Sequence, residues 1–140
     1  YYTDVITEHA LDFLKQQQEN PFFLYVCYNG PYGLGEHMTY THENRHTLYY
    51  ADKDLPCFPR EPVHPWLKQN RNFIGDPIST RGYASAVSGV DDGVGMILDA
   101  LRQYGLDEDT LVVFLFRSGP VRWSSRHVGH GGSCPPDSDV

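Results

Sequence analysis

Long apolar runs are missing from this chain. No stretch approaches the roughly 20 apolar residues that span a bilayer, and no charged-then-apolar leader opens it, so no membrane span is expected. Positive charge is in short supply: 11 Lys and Arg face 18 Asp and Glu, a net charge of −7. A nucleic-acid backbone would gain no electrostatic support from that balance. Cysteine is scarce, and Cys27, Cys57 and Cys134 are too far apart for a C-x-x-C zinc or redox pair. Cys27 sits in an apolar run, where burial as a small hydrophobe is expected. The cysteines do not indicate a compartment. An initiating Met is also missing, since residue 1 is Tyr, and the chain reads as a segment cut from something longer.

Repeats and low-complexity tracts are absent, while 10 Tyr, 7 Phe and 10 Pro argue for a folded, loop-rich body of about one domain. Thr3 as N-cap and Asp4 in the first turn predict a helix with Ile6, Ala10, Phe13, Leu14 and Gln17 on one stripe. It should end near Asn20, before Pro21. Pro21 to Tyr28 (PFFLYVCY) is short, aromatic-rich and apolar nearly throughout, which predicts a strand covered on both faces of a parallel sheet. A second unit repeats that order. Tyr83, Val87, Val90, Val94, Ile97, Leu98 and Leu101 recur at helical steps, Gly105 follows as a C-cap, and Thr110 to Phe114 (TLVVF) supplies another apolar strand. Two helix-to-strand units predict a layered α/β fold.

Between the units lies a loop over about 29–79, with Pro31, Pro56, Pro59, Pro62, Pro65 and Pro77 and little periodicity. A structureless loop of that size inside a compact domain means either a functional surface insertion or a wrong assignment of its elements. Ligands of open α/β sheets bind beyond the carboxyl ends of the strands, and this loop leaves from such an end at Tyr28. It is expected to rim a site.

The order PFFLYVCYNGPYG, long loop, then YASAVSGVDDGVGMILDALRQYGLDEDTLVVF resembles the middle of the sulfatase family within the alkaline-phosphatase-like fold. Several independent features carry the resemblance: the Pro-Phe-Phe-Leu-Tyr strand with its Asn-x-Pro turn, the Tyr-x-x-x-Val-x-x-Val-Asp-x-x-Val-Gly helix, and the Gly-Leu-x-x-x-Thr-Leu-Val-Val-Phe link. It covers residues 1–114 and leaves 115–140 as a tail without family character, expected to be irregular. The implied fold is a partial alkaline-phosphatase-like layered α/β architecture, two helix-to-strand units flanking a long Pro-rich loop.

The resemblance implies a sulfuric-ester hydrolase acting on a sulfate ester, with a bound divalent cation, usually calcium, and a formylglycine nucleophile made in a C/S-x-P-S-R motif. That motif and the early Asp pair of the metal site do not occur here. After the Pro of the first turn many members carry a sulfate-contacting His, whereas this chain has Tyr32. Tyr32 can donate a hydrogen bond but no charge at neutral pH. Asn29 and Tyr32 are therefore substrate-facing candidates, or residues of the turn alone. After the second strand the family places Ser-Asp-Asn-Gly or Ser-Asp-Gln-Gly, which completes the cation site. Here Arg117 and Ser118 occupy those positions, and a guanidinium has no oxygen to give a metal. As written, no metal site is expected, and the segment is predicted to be inactive.

The tail has an alternative origin. A codon choice exists for Leu115 to Pro136 in which skipping one base after the Phe114 codon reads Phe-Ser-Asp-Gln-Gly, followed by a Gly-rich, His-containing loop like that of sulfatases. One extra base at that point would account for the loss of the motif. The restored loop would still place Met where many relatives have a substrate-binding Lys.

Other polar residues have plainer explanations. Asp91 and Asp92 point about 100° apart on a helix, so they make a poor metal pair. Asp91 matches the family's helical Asp and reads as structural, Asp92 as solvated. His37, His42 and His46 fall in the loop, where they are candidates for orienting an anionic substrate. His127 and His130 follow from the frame argument. Gly93 and Gly95 form no phosphate loop, because no strand precedes them, and close packing of helix on sheet is expected there. Besides the hydrolase, two classes stay open: a non-catalytic sulfatase-like protein that binds an anionic ester or a partner through its Pro- and Tyr-rich loop, and a related phosphoryl or phosphonate hydrolase.

Overall fold

A computed structural model describes residues 1–17, 19–31, 43–58 and 74–115. Helix α1 runs Tyr2–Gln16, α2 is a single turn at Thr47–Tyr50, and α3 spans Pro77–Gln103. The first helix begins two residues before the expected cap. Tyr1 is the N-cap and makes no side-chain cap bond, while Thr3 lies inside the helix, buried. Its carbonyl accepts a hydrogen bond from Thr7 Oγ1 at 2.9 Å. The helix ends at Gln16 rather than near Asn20.

The long helix starts earlier than its apolar pattern suggests. Asp76 caps it, its carboxylate accepting from Ser79 N at 2.7 Å, and Pro77 occupies the first turn, where its missing N–H costs nothing. The loop thus ends at Asp76 rather than near 79, and α2 interrupts it. At the other end Gly105 adopts φ +66, and Leu106 N donates to Leu101 O at 2.9 Å, the left-handed cap expected there.

The two long helices pack through small residues. The deeply buried positions of α3 include Ser79, Ala84, Ser85, Ala86, Gly89, Gly93 and Ala100. The expected apolar stripe is only partly covered, with Val87 43% exposed. Opposite it, α1 buries Thr3, Thr7, Ala10 and Leu14. A β-carbon on Gly93 would lie 2.5 Å from Thr7 Oγ1 and 2.6 Å from Tyr28 Oη, so only glycine admits this approach. Among the described residues nothing lies within 4 Å of a β-carbon on Gly95, so the close packing seen there is at Gly93.

Leu14, Ala100 and Leu101 form the core, with Phe22, Leu24 and Leu106 among the side chains closing over it. Phe13 meets Phe22 edge to face at 5.9 Å. Residues 21–28 are extended but join no ladder among the described residues. They alternate: Phe22 and Leu24 face the core, while Phe23 and Tyr25 are 88% and 76% exposed. Among the described residues only the Phe22 and Leu24 side of this segment is covered, and Cys27, expected to be buried, falls on the other side, exposed and free. Residues 110–115 belong to no helix or strand, and Leu111 to Leu115 are all exposed. The described residues contain three helices and no strand. The tail, 116–140, lies outside the described residues.

Candidate functional site

The first extended segment delivers the chain to the candidate site, and its last residue is tied down. Tyr28 Oη and Thr7 Oγ1 share a hydrogen bond at 3.0 Å, with Gly93 beneath them. Thr7 is itself anchored to the carbonyl of Thr3. Three elements thus meet at the phenol of Tyr28. Asn29 follows, exposed but engaged by a partner of its own, and then the cis Gly30-Pro31 peptide. Tyr32, the second substrate-facing candidate, lies outside the described residues, as do Arg117 and Ser118 at the expected metal end. His37, His42, His127 and His130 lie outside them too.

The chain returns to α3 at Asn44, and the return is polar. Asn44 Nδ2 donates to Ser85 O at 2.9 Å, and Ser85 Oγ donates to Asn44 Oδ1 at 2.7 Å. Asn44 Oδ1 also accepts from His46 N at 2.8 Å, and Thr47 Oγ1 accepts from Asn44 N at 2.9 Å. Farther along, Tyr50 Oη and Ser88 Oγ share a bond at 2.9 Å, and Arg81 Nε donates to Lys53 O at 2.9 Å. Arg81, Ser85, Ser88 and Asp92 follow one another at helical spacing, so one stripe of α3 holds the returning segment. That stripe is distinct from the apolar one. A pattern search for hydrophobic periodicity passes over it, although its spacing is visible in the sequence.

Asp92 is the charged end of the stripe. Its Oδ2 hydrogen-bonds His46 Nε2 at 2.6 Å and forms an ion pair with Arg45 Nε at 3.2 Å. Arg45 also reaches Asp4 Oδ1 on α1 at 3.2 Å, so one guanidinium joins both long helices to the returning chain. The solvated reading of Asp92 is therefore wrong. Asp91, read as structural, is the exposed member of the pair. His46 is N-cap of α2 and a partner of Asp92. Beyond α2, Phe58 packs edge to face on Tyr83 at 5.6 Å, and burial pushes the Tyr83 phenol above its ordinary value of 10.0.

Among the described residues no group of three or more His, Cys, Asp or Glu could hold a metal ion. Cys57 is disulfide-bonded, and its Cys-Phe-Pro-Arg-Glu context is not a C/S-x-P-S-R motif. The described residues therefore fit neither a divalent cation nor a formylglycine precursor. No described helix is long and apolar enough to cross a membrane.

Comparison with known proteins adds a family. The sulfatase family model matches residues 1–115. An endo-4-O-sulfatase of Bacteroides thetaiotaomicron is 33% identical over 108 residues, 77% of this chain and 20% of that protein. An N-acetylgalactosamine-6-sulfatase of Mus musculus is 29% identical over 129 residues, 91% of this chain and 18% of the relative. An N-sulphoglucosamine sulphohydrolase of Homo sapiens is 28% identical over 120 residues, 76% of this chain and 23% of the relative. The chain thus spans about a fifth of the length of these relatives. No solved structure matches it.

Proposed function

Because the chain belongs to the sulfatase family, whose fold is the alkaline-phosphatase-like α/β type, we propose that it is part of the catalytic domain of a sulfuric-ester hydrolase. In this reading the Pro21–Tyr28 segment presents Asn29 and Tyr32 to the sulfate ester. The match over residues 1–115 carries the proposal, and the fixed position of Tyr28 against Thr7 and Gly93 supports it: a residue that must meet substrate is held from behind by a rigid junction.

A sulfate ester is anionic, and its cleavage needs neutralised oxygens and a nucleophile placed to reach sulfur. The family supplies these through calcium and formylglycine. The described residues provide neither. Arg117 in the seat of a carboxylate opposes a cation, so this chain by itself, with boundaries 1–114 for the family segment and 115–140 for the tail, is proposed to be inactive. Arg117 also favours a second reading, a non-catalytic sulfatase-like protein that binds an anionic ester.

Reading the gene on both sides separates the two. The hydrolase reading expects a C/S-x-P-S-R motif upstream and a one-base change after the Phe114 codon that restores Ser-Asp-Gln-Gly. An intact frame through Arg117 with no such motif upstream would leave the non-catalytic reading.

A further inference from the structure

Two junctions described above meet α3 one helical turn apart. Tyr28, the residue before the candidate turn, lies against Gly93. Asn44, where the chain returns, lies against Gly89, whose β-carbon would stand 3.2 Å from Asn44 Nδ2. Both glycines face α1 and its leading residue as well: Gly93 meets Thr7, and Gly89 meets Tyr1 at 2.9 Å. The chain that leaves at Tyr28 is therefore brought back to the same patch of the same helix. It is held there by hydrogen bonds and ion pairs from Asn44, Arg45 and His46 to Ser85, Asp92 and Asp4.

We propose that Tyr28, Asn44 and Asp92 are positioning residues that form the neck of a substrate-side loop. Tyr28 fixes its departure, Asn44 fixes its return, and Asp92 clamps the return through Arg45 and His46. The inference rests on the sulfatase reading, because it gives these contacts the task of placing Asn29 before a sulfate ester.

The physical case is one of loop closure. A chain leaving a helix–strand layer loses entropy when its ends are joined, and a joined neck sharply narrows the arrangements open to the residues beside it. On the outgoing side Tyr28 Oη meets Thr7 Oγ1 at 3.0 Å, whereas the returning side carries several shorter polar contacts. Asn44 is held through both its amide nitrogen and its amide oxygen by one residue, Ser85, which sets its orientation as well as its distance. Asp92 receives two cationic or ring donors on one oxygen. Bonds of this kind, half-buried and polar, open well below global unfolding, so the neck is a local unit that can be loosened without unfolding the core. Leu14, Ala100 and Leu101, which hold the helices together, make no part of it.

The test uses the full-length gene product with Tyr28→Phe, Asn44→Ala and Asp92→Asn. Arg102→Ala, which breaks only the exposed pair with Asp99, serves as control. Hydrogen exchange of the amides at 29–30 and 44–47 reads the neck, and KM and kcat for an aryl sulfate ester read its purpose. Asn44→Ala and Asp92→Asn should exchange about tenfold faster at 44–47, and Tyr28→Phe faster at 29–30, with the amides of α1 and the control unchanged. KM should rise several-fold while kcat moves less. Unchanged exchange overturns the neck, and faster exchange with unchanged KM overturns its positioning role. A parent protein that turns over no ester defeats the hydrolase reading separately. Binding of inorganic sulfate by calorimetry then replaces KM, and affinity unaltered in the variants, or absent in the parent, overturns the positioning role.

Discussion

Glycine at 93 and glycine at 95 look alike in sequence and differ in what surrounds them. Ala at 93 would press on Thr7 and Tyr28, an overpacking cost of about 1–3 kcal/mol that exceeds the helix gain of about 1 kcal/mol. Ala at 95 meets open space and should stabilise by about 0.5–1 kcal/mol. Urea midpoints of the full-length variants should therefore move in opposite directions. Equal shifts would mean that the α1–α3 approach is looser than described. Tyr83 gives a pH signature. Its phenol is raised in the folded state, so its contribution is fully present below the unfolded value near 10.0 and is lost as pH climbs beyond it. Tyr83→Phe should flatten that alkaline loss, seen as a smaller drop in urea midpoint between about pH 8 and about pH 11. Single residues were the least legible part of the sequence. Thr7 is buried with its hydroxyl bonded to the Thr3 carbonyl and to Tyr28 Oη, which no hydrophobic pattern reveals. Asp92 looked solvated because its partners, Arg45 and His46, are remote in sequence.

Helices were legible where apolar spacing and end signals agreed. Gly105 marked the end of α3 because a left-handed residue is needed there, and glycine adopts that conformation without strain. The start was missed because the first turns of α3 are polar. Asp76 and Pro77 nonetheless form a cap-and-Pro pair that could have located it. Asp76→Ala should cost about 1 kcal/mol and fray the first turn, with faster amide exchange at Ser79 and Thr80 as the readout. Normal exchange there would deny the cap its role. Two apolar runs were legible, but no strand is formed by either among the described residues. A run such as PFFLYVCY does not say whether both of its faces are met within the same segment. In this chain only the Phe22 and Leu24 side is.

Those open faces govern the whole molecule. Phe23, Tyr25 and Leu111 to Leu115 expose large apolar side chains on backbone that joins no ladder among the described residues. Exposed apolar edges of this kind invite pairing between chains, so the isolated 140 residues should self-associate. A clean monomer in size-exclusion chromatography would contradict that. Calcium should not raise the thermal midpoint of this chain, since a ligand stabilises only a native state that binds it. The family was legible across residues 1–115 because several motifs fall in the right order, whereas of the candidate site residues only Asn29 lies among the described residues. Arg117 and Ser118, proposed for its metal end, lie outside the described residues. Sulfate release from an aryl sulfate ester, measured for the full-length product with Ser-Asp-Gln-Gly restored after Phe114 and for the 140 residues alone, tests the account most directly. Turnover by the restored protein and none by the segment is the predicted result. Turnover by the segment alone, with Arg117 in place, would contradict it.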